Sequence, residues 1–213
     1  MARQVLLTGF LPFGDSRLNP SQQIAEVLDG QTIGGARVTS LVLPVVFGQD
    51  TERVQAALAD LNPHLVLSLG LAAGTPCLDV ERFAVNLRVA EAWLPDQPLV
   101  PNRPQATIVD GGPDAYFATI SAERVACAIG ERTQVPARAH GYAGAYLCNH
   151  VLYQARHFMQ AQGMTGQCGF IHLPLSCEQA VAENKVYLPS LPLGSMTQAI
   201  RIAIETVMEE ALL

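Results

Sequence analysis

Short runs of β-branched and aliphatic residues alternate along this chain with longer segments whose apolar positions recur at helical spacing. Residues 3–9, 37–43 and 65–69 are near-continuous apolar runs, the pattern of strands buried on both faces. Between them, 22–28 and 49–60 carry a helical period, and Asn19-Pro20-Ser21 offers a cap ahead of the first. Residues 78–90 read as a long strand-like stretch. The segment 94–104, with Pro95, Pro98, Pro101 and Pro104, cannot be regular structure and reads as an excursion, a hairpin or flap. The pattern then predicts a helix over 116–131, a short strand over 135–139, a helix over 144–161, a strand over 168–172 and a terminal helix over 194–211. Alternation of this kind predicts an α/β layer fold with a largely parallel sheet. No internal repeat or linker interrupts it, so 1–213 reads as one domain.

Composition narrows the function classes. With 213 residues, 49% hydrophobic and 15% charged, the chain is long enough to bury a large core without a disulfide or metal staple. The net charge of −6 gives no basic footprint for nucleic acid or an anionic membrane, so neither is expected as a partner. The run 65–74 is too short to span a bilayer and is broken by Ser68 and Gly70. Near the N-terminus, Val5-Leu6-Leu7 is interrupted by Gly9, Pro12 and Gly14 and reads as a buried strand, not a signal segment. The five cysteines, 77, 127, 148, 168 and 177, are odd in number and lack CxxC spacing. A reducing cytoplasmic compartment is expected.

Several motifs fall away on inspection. Gly9 to Gly14 lacks the Lys-Ser/Thr pair of a phosphate loop, Gly70 to Gly74 lacks dinucleotide spacing, and no GxSxG elbow occurs. Cys168, His172 and Cys177 lack a fourth ligand at usual metal spacing. His150 and His157 share a helix face and read as partly exposed surface; His64 and His140 fall in connections. His172 differs because it ends an apolar strand, and the carboxyl ends of parallel strands are where ligands bind. From position alone it is either functional or a satisfied structural histidine. Cys127 reads as core within a small apolar helix face. Cys148 falls in the first turns of a helix, where free amides and the positive end of the macrodipole favour a thiolate, so it reads equally as a nucleophile or as a small buried residue. Glu81 shares a strand face with Phe83, Val85 and Leu87. Either that strand end is exposed, or Glu81 has a partner such as a histidine, as the orienting acid of a Cys-His-acid arrangement does.

Three segments then converge. Glu81-Arg82-Phe83-Ala84-Val85-Asn86, Ala145-Tyr146-Leu147-Cys148-Asn149-His150 and Gly169-Phe170-Ile171-His172-Leu173-Pro174 together resemble the pyroglutamyl-peptidase I, or pyrrolidone-carboxylate peptidase, family of cysteine peptidases. Thr8 to Gly14, Asn19-Pro20-Ser21 and Leu43-Pro44-Val45 extend the likeness over nearly the whole chain. The resemblance implies an α/β/α sandwich of the phosphorylase/hydrolase-like kind, with Cys148 as nucleophile, His172 as general base and acid, and Glu81 orienting the histidine. It implies Phe10 and Phe13 as contacts for the substrate ring, the lesser alternative being loop aromatics folded into the core. It implies removal of N-terminal 5-oxoproline from small peptides through a thioester, without metal or cofactor, in a homo-oligomer, often a tetramer. Where the family carries arginines, this sequence has Glu91 and Thr75, and the segment after Asn86 is longer. Loss of one oxyanion donor can cost about 100-fold, so either lower efficiency or an altered substrate range is expected, unless Arg88 substitutes. The alternatives are another thiol-dependent amide or ester hydrolase, or a catalytically impaired binding paralogue.

Overall fold

The computed structural model describes residues 3–89 and 106–210. Glu91 and the Pro-rich 94–104 lie outside the described residues. Chain order runs β1 (Arg3–Phe10), α1 (Pro20–Leu28), β2 (Thr32–Ile33), β3 (Ala36–Leu43), α2 (Gln49–Leu61), β4 (Leu65–Leu71) and β5 (Leu78–Val85). It continues with β6 (Ala115–Phe117), α3 (Ala122–Thr133), β7 (Ala137–Tyr142), α4 (Leu147–Ala161) and β8 (Gln167–Leu173), then β9 (Leu175–Ser176), α5 (Cys177–Ala182), β10 (Ser190–Leu191) and α6 (Leu193–Glu210).

The main sheet has the order β2-β3-β1-β4-β8-β5-β6, with β7 paired to β5. β3, β1, β4 and β8 are mutually parallel, while β5 runs antiparallel to β8. Alternate residues of each buried strand serve opposite faces. Val5, Leu67 and Ile171 join α1, α3 and α6 in one core, and Leu6, Val66 and Phe170 join α2 and α4 in the other. Helices thus cover both sides of a mostly parallel sheet, and β1 sits where the chain reverses its direction of sheet growth. The carboxyl ends of strands beside such a reversal form a natural crevice.

Four local expectations need correction. Residues 115–117 extend as a strand against β5, and the helix expected from 116 begins only at Ala122, where Ser121 Oγ caps the amide of Arg124. Two adjacent aromatics fit a pleated surface better than a helix, and the serine sets the true start. β7 runs to Tyr142 and so includes His140, which the sequence reading placed in a connection. Cys127 is exposed, not core, because α3 turns Val125, Ala126 and Ile129 inward instead. His150 is buried, not surface: its Nδ1 lies 2.7 Å from Asp50 Oδ2, and Phe47 meets its ring edge-on.

Candidate active site

β8 carries Cys168, Phe170 and His172 toward α4, because its odd residues fill the opposite core. The same alternation on β4 leaves Gly70 facing α4, and this glycine is paired with His172 in the sheet. α4 begins late: Gly144 takes a left-handed φ of 77°, Tyr146 is an extended N-cap, and Cys148 becomes the second residue of the helix. Among the described residues no side chain caps that end, which leaves its first-turn amides without a side-chain acceptor beside the sulfur. Asn149 locks the helix in place, accepting from the Val85 amide at 2.8 Å and donating to Val85 O and Leu87 O. Asn86 holds the returning chain in the same way, through the amides of Ile108 and Val109.

His172 Nδ1 is 2.6 Å from Glu81 Oε1, and Glu81 is buried, its side chain 1% exposed. The partnered reading of this carboxylate is therefore the one realised. Cys148 is within hydrogen-bonding reach of the same imidazole. With Nδ1 committed to Glu81, Nε2 is the nitrogen left for sulfur. Burial disfavours the charged ring, but the negative charge and hydrogen bond of Cys148, with those of Glu81, outweigh it and push His172 up to about 10. Three other thiols are held as thiols: Cys168 is pushed up to about 12 by burial, Cys77 is raised by burial and Asp79, and Cys127 by its hydrogen bond to Glu131.

β5 faces β7 through three directly opposed pairs on one face. Asp79 meets Arg138 at 2.6 Å, Glu81 meets His140 at 2.9 Å, and Phe83 stacks on Tyr142. The second histidine on Glu81 was missed in the sequence, since β7 lacks the apolar alternation that reveals a strand. Phe10 is mostly core at 4% exposed, while Phe13 stands 43% exposed in the loop after β1. That loop is tied down by Asn19 to Leu11 O and by buried Gln179 to Leu18 O. A Cβ at Gly9 would lie 2.2 Å from Ser21 O, so only glycine lets β1 pass the start of α1. Thr75 is engaged with Asp79 at 3.0 Å, and Arg88 lays its guanidinium over Phe47, which in turn meets Tyr146 edge-on. No group of three or more His, Cys, Asp or Glu side chains among the described residues is placed to hold a metal ion.

A thiol, a ring and a buried carboxylate in line at the carboxyl end of a parallel sheet are the equipment of a cysteine hydrolase. The sequence profile of pyroglutamyl peptidase matches residues 3–210. This chain belongs to that family and is a peptidase. The pyrrolidone-carboxylate peptidase of Pyrococcus furiosus is 38% identical over 98% of this chain and 100% of its own length. That of Klebsiella pneumoniae is 39% identical, over 97% and 94%. Among solved structures, the Pyrococcus furiosus pyrrolidone carboxyl peptidase superposes with a TM-score of 0.87 at 36% identity, covering 97% of this chain and 99% of that one. Pyroglutamyl peptidase I of Bacillus amyloliquefaciens gives 0.86 at 31% identity, covering 97% of each. No helix among the described residues is long and apolar enough to cross a membrane.

Proposed function

We propose that this peptidase removes N-terminal pyroglutamate from small peptides, with Cys148 as nucleophile, His172 as proton carrier and Glu81 as the acid that orients it. The observation that carries the reading is His172, held at 2.6 Å by a buried carboxylate and placed to bond Cys148. The thiolate adds to the pyroglutamyl carbonyl, and the oxyanion is met by the uncapped amides at the start of α4. His172 gives its proton to the departing amine, leaving a thioester. The ring then takes a proton from water, whose oxygen attacks the thioester and releases pyroglutamate and the thiolate.

Pyroglutamate has no ammonium group, so its site calls for apolar walls and a few backbone hydrogen bonds. Phe13 supplies an exposed ring beside the crevice, and buried Phe10 backs the same loop. Proline lacks the ring carbonyl and would leave the groups that pair with it unsatisfied. Turnover of a pyroglutamyl chromogenic amide, absent with the matching prolyl amide and lost in Cys148→Ser, is the expected result. Turnover of unrelated amides alone, or activity surviving Cys148→Ser, overturns the reading.

The same reading takes 1–213 as one domain in a cytoplasmic homotetramer, with neither nucleic acid nor membrane as partner. One sheet gathering strands from β1 to β8 supports the first point, and five free thiols suit a reducing compartment. Phe117, 72% exposed beside Phe83, suits a subunit contact. Sedimentation of the purified protein at tetramer mass checks the assembly.

A further inference from the structure

Glu81 does not serve His172 alone. Its Oε1 takes the His172 bond at 2.6 Å and its Oε2 takes one from His140 Nδ1 at 2.9 Å. An ionised carboxylate only accepts, so both rings carry hydrogen on Nδ1. The two differ in access: the His140 side chain is 41% exposed and that of His172 12%, while Glu81 is 1% exposed. His140 therefore holds Glu81 from the open side of the sheet, and His172 from the buried side.

We propose that His140 is a positioning residue for the catalytic pair: by donating to the second oxygen of Glu81 it fixes the carboxylate's rotation and holds the first oxygen on His172. A terminal carboxylate torsion is soft, and a buried oxygen without a donor is costly. The bond from β7 removes both difficulties and leaves Oε1 aimed at His172.

The surroundings make His140 the group on β7 free to do this. Arg138, on the same face, is committed to Asp79. Tyr142 is stacked on Phe83. Arg82 reaches the backbone carbonyl of His140 at 3.0 Å and pairs with Glu123 of α3. From α4, Cys148 acts on His172. The cross-strand register, Glu81 opposite His140, fixes the contact.

The proposal rests on the roles given above to Cys148, His172 and Glu81, and its test does not need the substrate. The rate of Cys148 alkylation by iodoacetamide is read by peptide mass spectrometry across about pH 5 to 10, alongside kcat and KM for a pyroglutamyl amide. Wild type is compared with His140→Asn, whose amide can donate without titrating, and with His140→Ala. In His140→Ala the upper ionisation of the pair is expected to move up by about half a unit or more, and kcat to fall about 10-fold with KM little changed. His140→Asn is expected to recover kcat to within about 3-fold and to return the upper ionisation toward that of wild type. If the alanine variant does not fold, His140→Val, which suits a strand and has no donor, takes its place. Superimposable alkylation profiles in all variants, or an asparagine variant as slow as the alanine one, overturn the proposal. A wild-type Cys148 no more reactive than the other thiols would instead reject the underlying assignment.

Discussion

Gly70 on β4 and Cys148 on α4 approach so closely that a Cβ at position 70 would lie 2.8 Å from Cys148 Sγ and 2.8 Å from Phe170 Cζ. The φ of this glycine is not left-handed; what position 70 requires is the absence of a side chain beneath the sulfur. Gly70→Ala must turn Sγ or displace the Phe170 ring. Overpacking of this kind costs about 1–3 kcal/mol of stability, and a displaced nucleophile about 10–100-fold in kcat. Thermal unfolding and steady-state kinetics measure the two effects. An alanine variant with wild-type kcat would show that the sulfur does not need this floor.

Glu81→Gln keeps the shape of the side chain but replaces an acceptor pair with one acceptor and one donor, which cannot serve two Nδ1–H groups. It also removes one of the charges that raise His172. Loss of kcat by about 100-fold or more is expected, by analogy with carboxylate removal from a hydrolase triad. The pH-rate profile should lose its upper ionisation toward lower pH.

His172 and Cys168 are among the groups that hold a proton in the folded chain above their ordinary range. His172 is raised from 6.5 to about 10 and Cys168 from 9.0 to about 12. The folded chain binds protons that the unfolded chain releases, so their stabilisation is whole below the ordinary value and is lost as pH rises through each window. Unfolding temperature is expected to fall from about pH 6.5 toward pH 10, and further beyond pH 9 as the Cys168 thiol comes into play. Because Cys148 contributes to the His172 shift, Cys148→Ser should flatten the lower window and leave the upper one. An unchanged slope in that variant would separate His172 from Cys148.

On the acid side the sign reverses. Burial opposes the Asp79 carboxylate, but hydrogen bonds from Arg138, Thr75 and Cys77 outweigh it and hold Asp79 below the usual carboxylate value of 3.8. Its stabilisation is present above that value and is lost as pH falls through the depressed one. Arg138→Ala should therefore bring acid unfolding on at higher pH. The neutral-pH loss should be only about 1 kcal/mol, since Arg138 is more than half exposed and screened.

Asp50 and His150, two residues past Cys148, form a buried pair through Asp50 Oδ2, and Asp50 Oδ1 has no hydrogen-bond partner among the described residues. His150→Ala leaves the carboxylate buried and unpaired, a loss of about 3–5 kcal/mol by chemical denaturation. The double variant Asp50→Ala/His150→Ala should be more stable than His150→Ala alone, since no charge is then stranded. A double variant at least as damaged as the single would mean that packing, not charge, governs this site.

The sequence by itself determined the layered α/β plan, because strands buried on two faces and helices buried on one leave distinct apolar periods. It also marked Cys148 and His172 as candidates, since a helix start and a strand end are local features, while the roles proposed for them came from the family resemblance, and it left Glu81 as a carboxylate in need of a partner. Tertiary structure decided which groups meet. Whether a polar side chain is exposed, paired or stranded depends on strand order and register, and these join residues far apart along the chain. His140 lies on a strand of half-exposed residues with no apolar signature, and it reaches Glu81 only because β5 and β7 align as they do. His150 reads as surface until Asp50, on another helix, is brought against it. Periodicity reports the average burial of a face; a hydrogen bond between two side chains is fixed only when both backbones are in place.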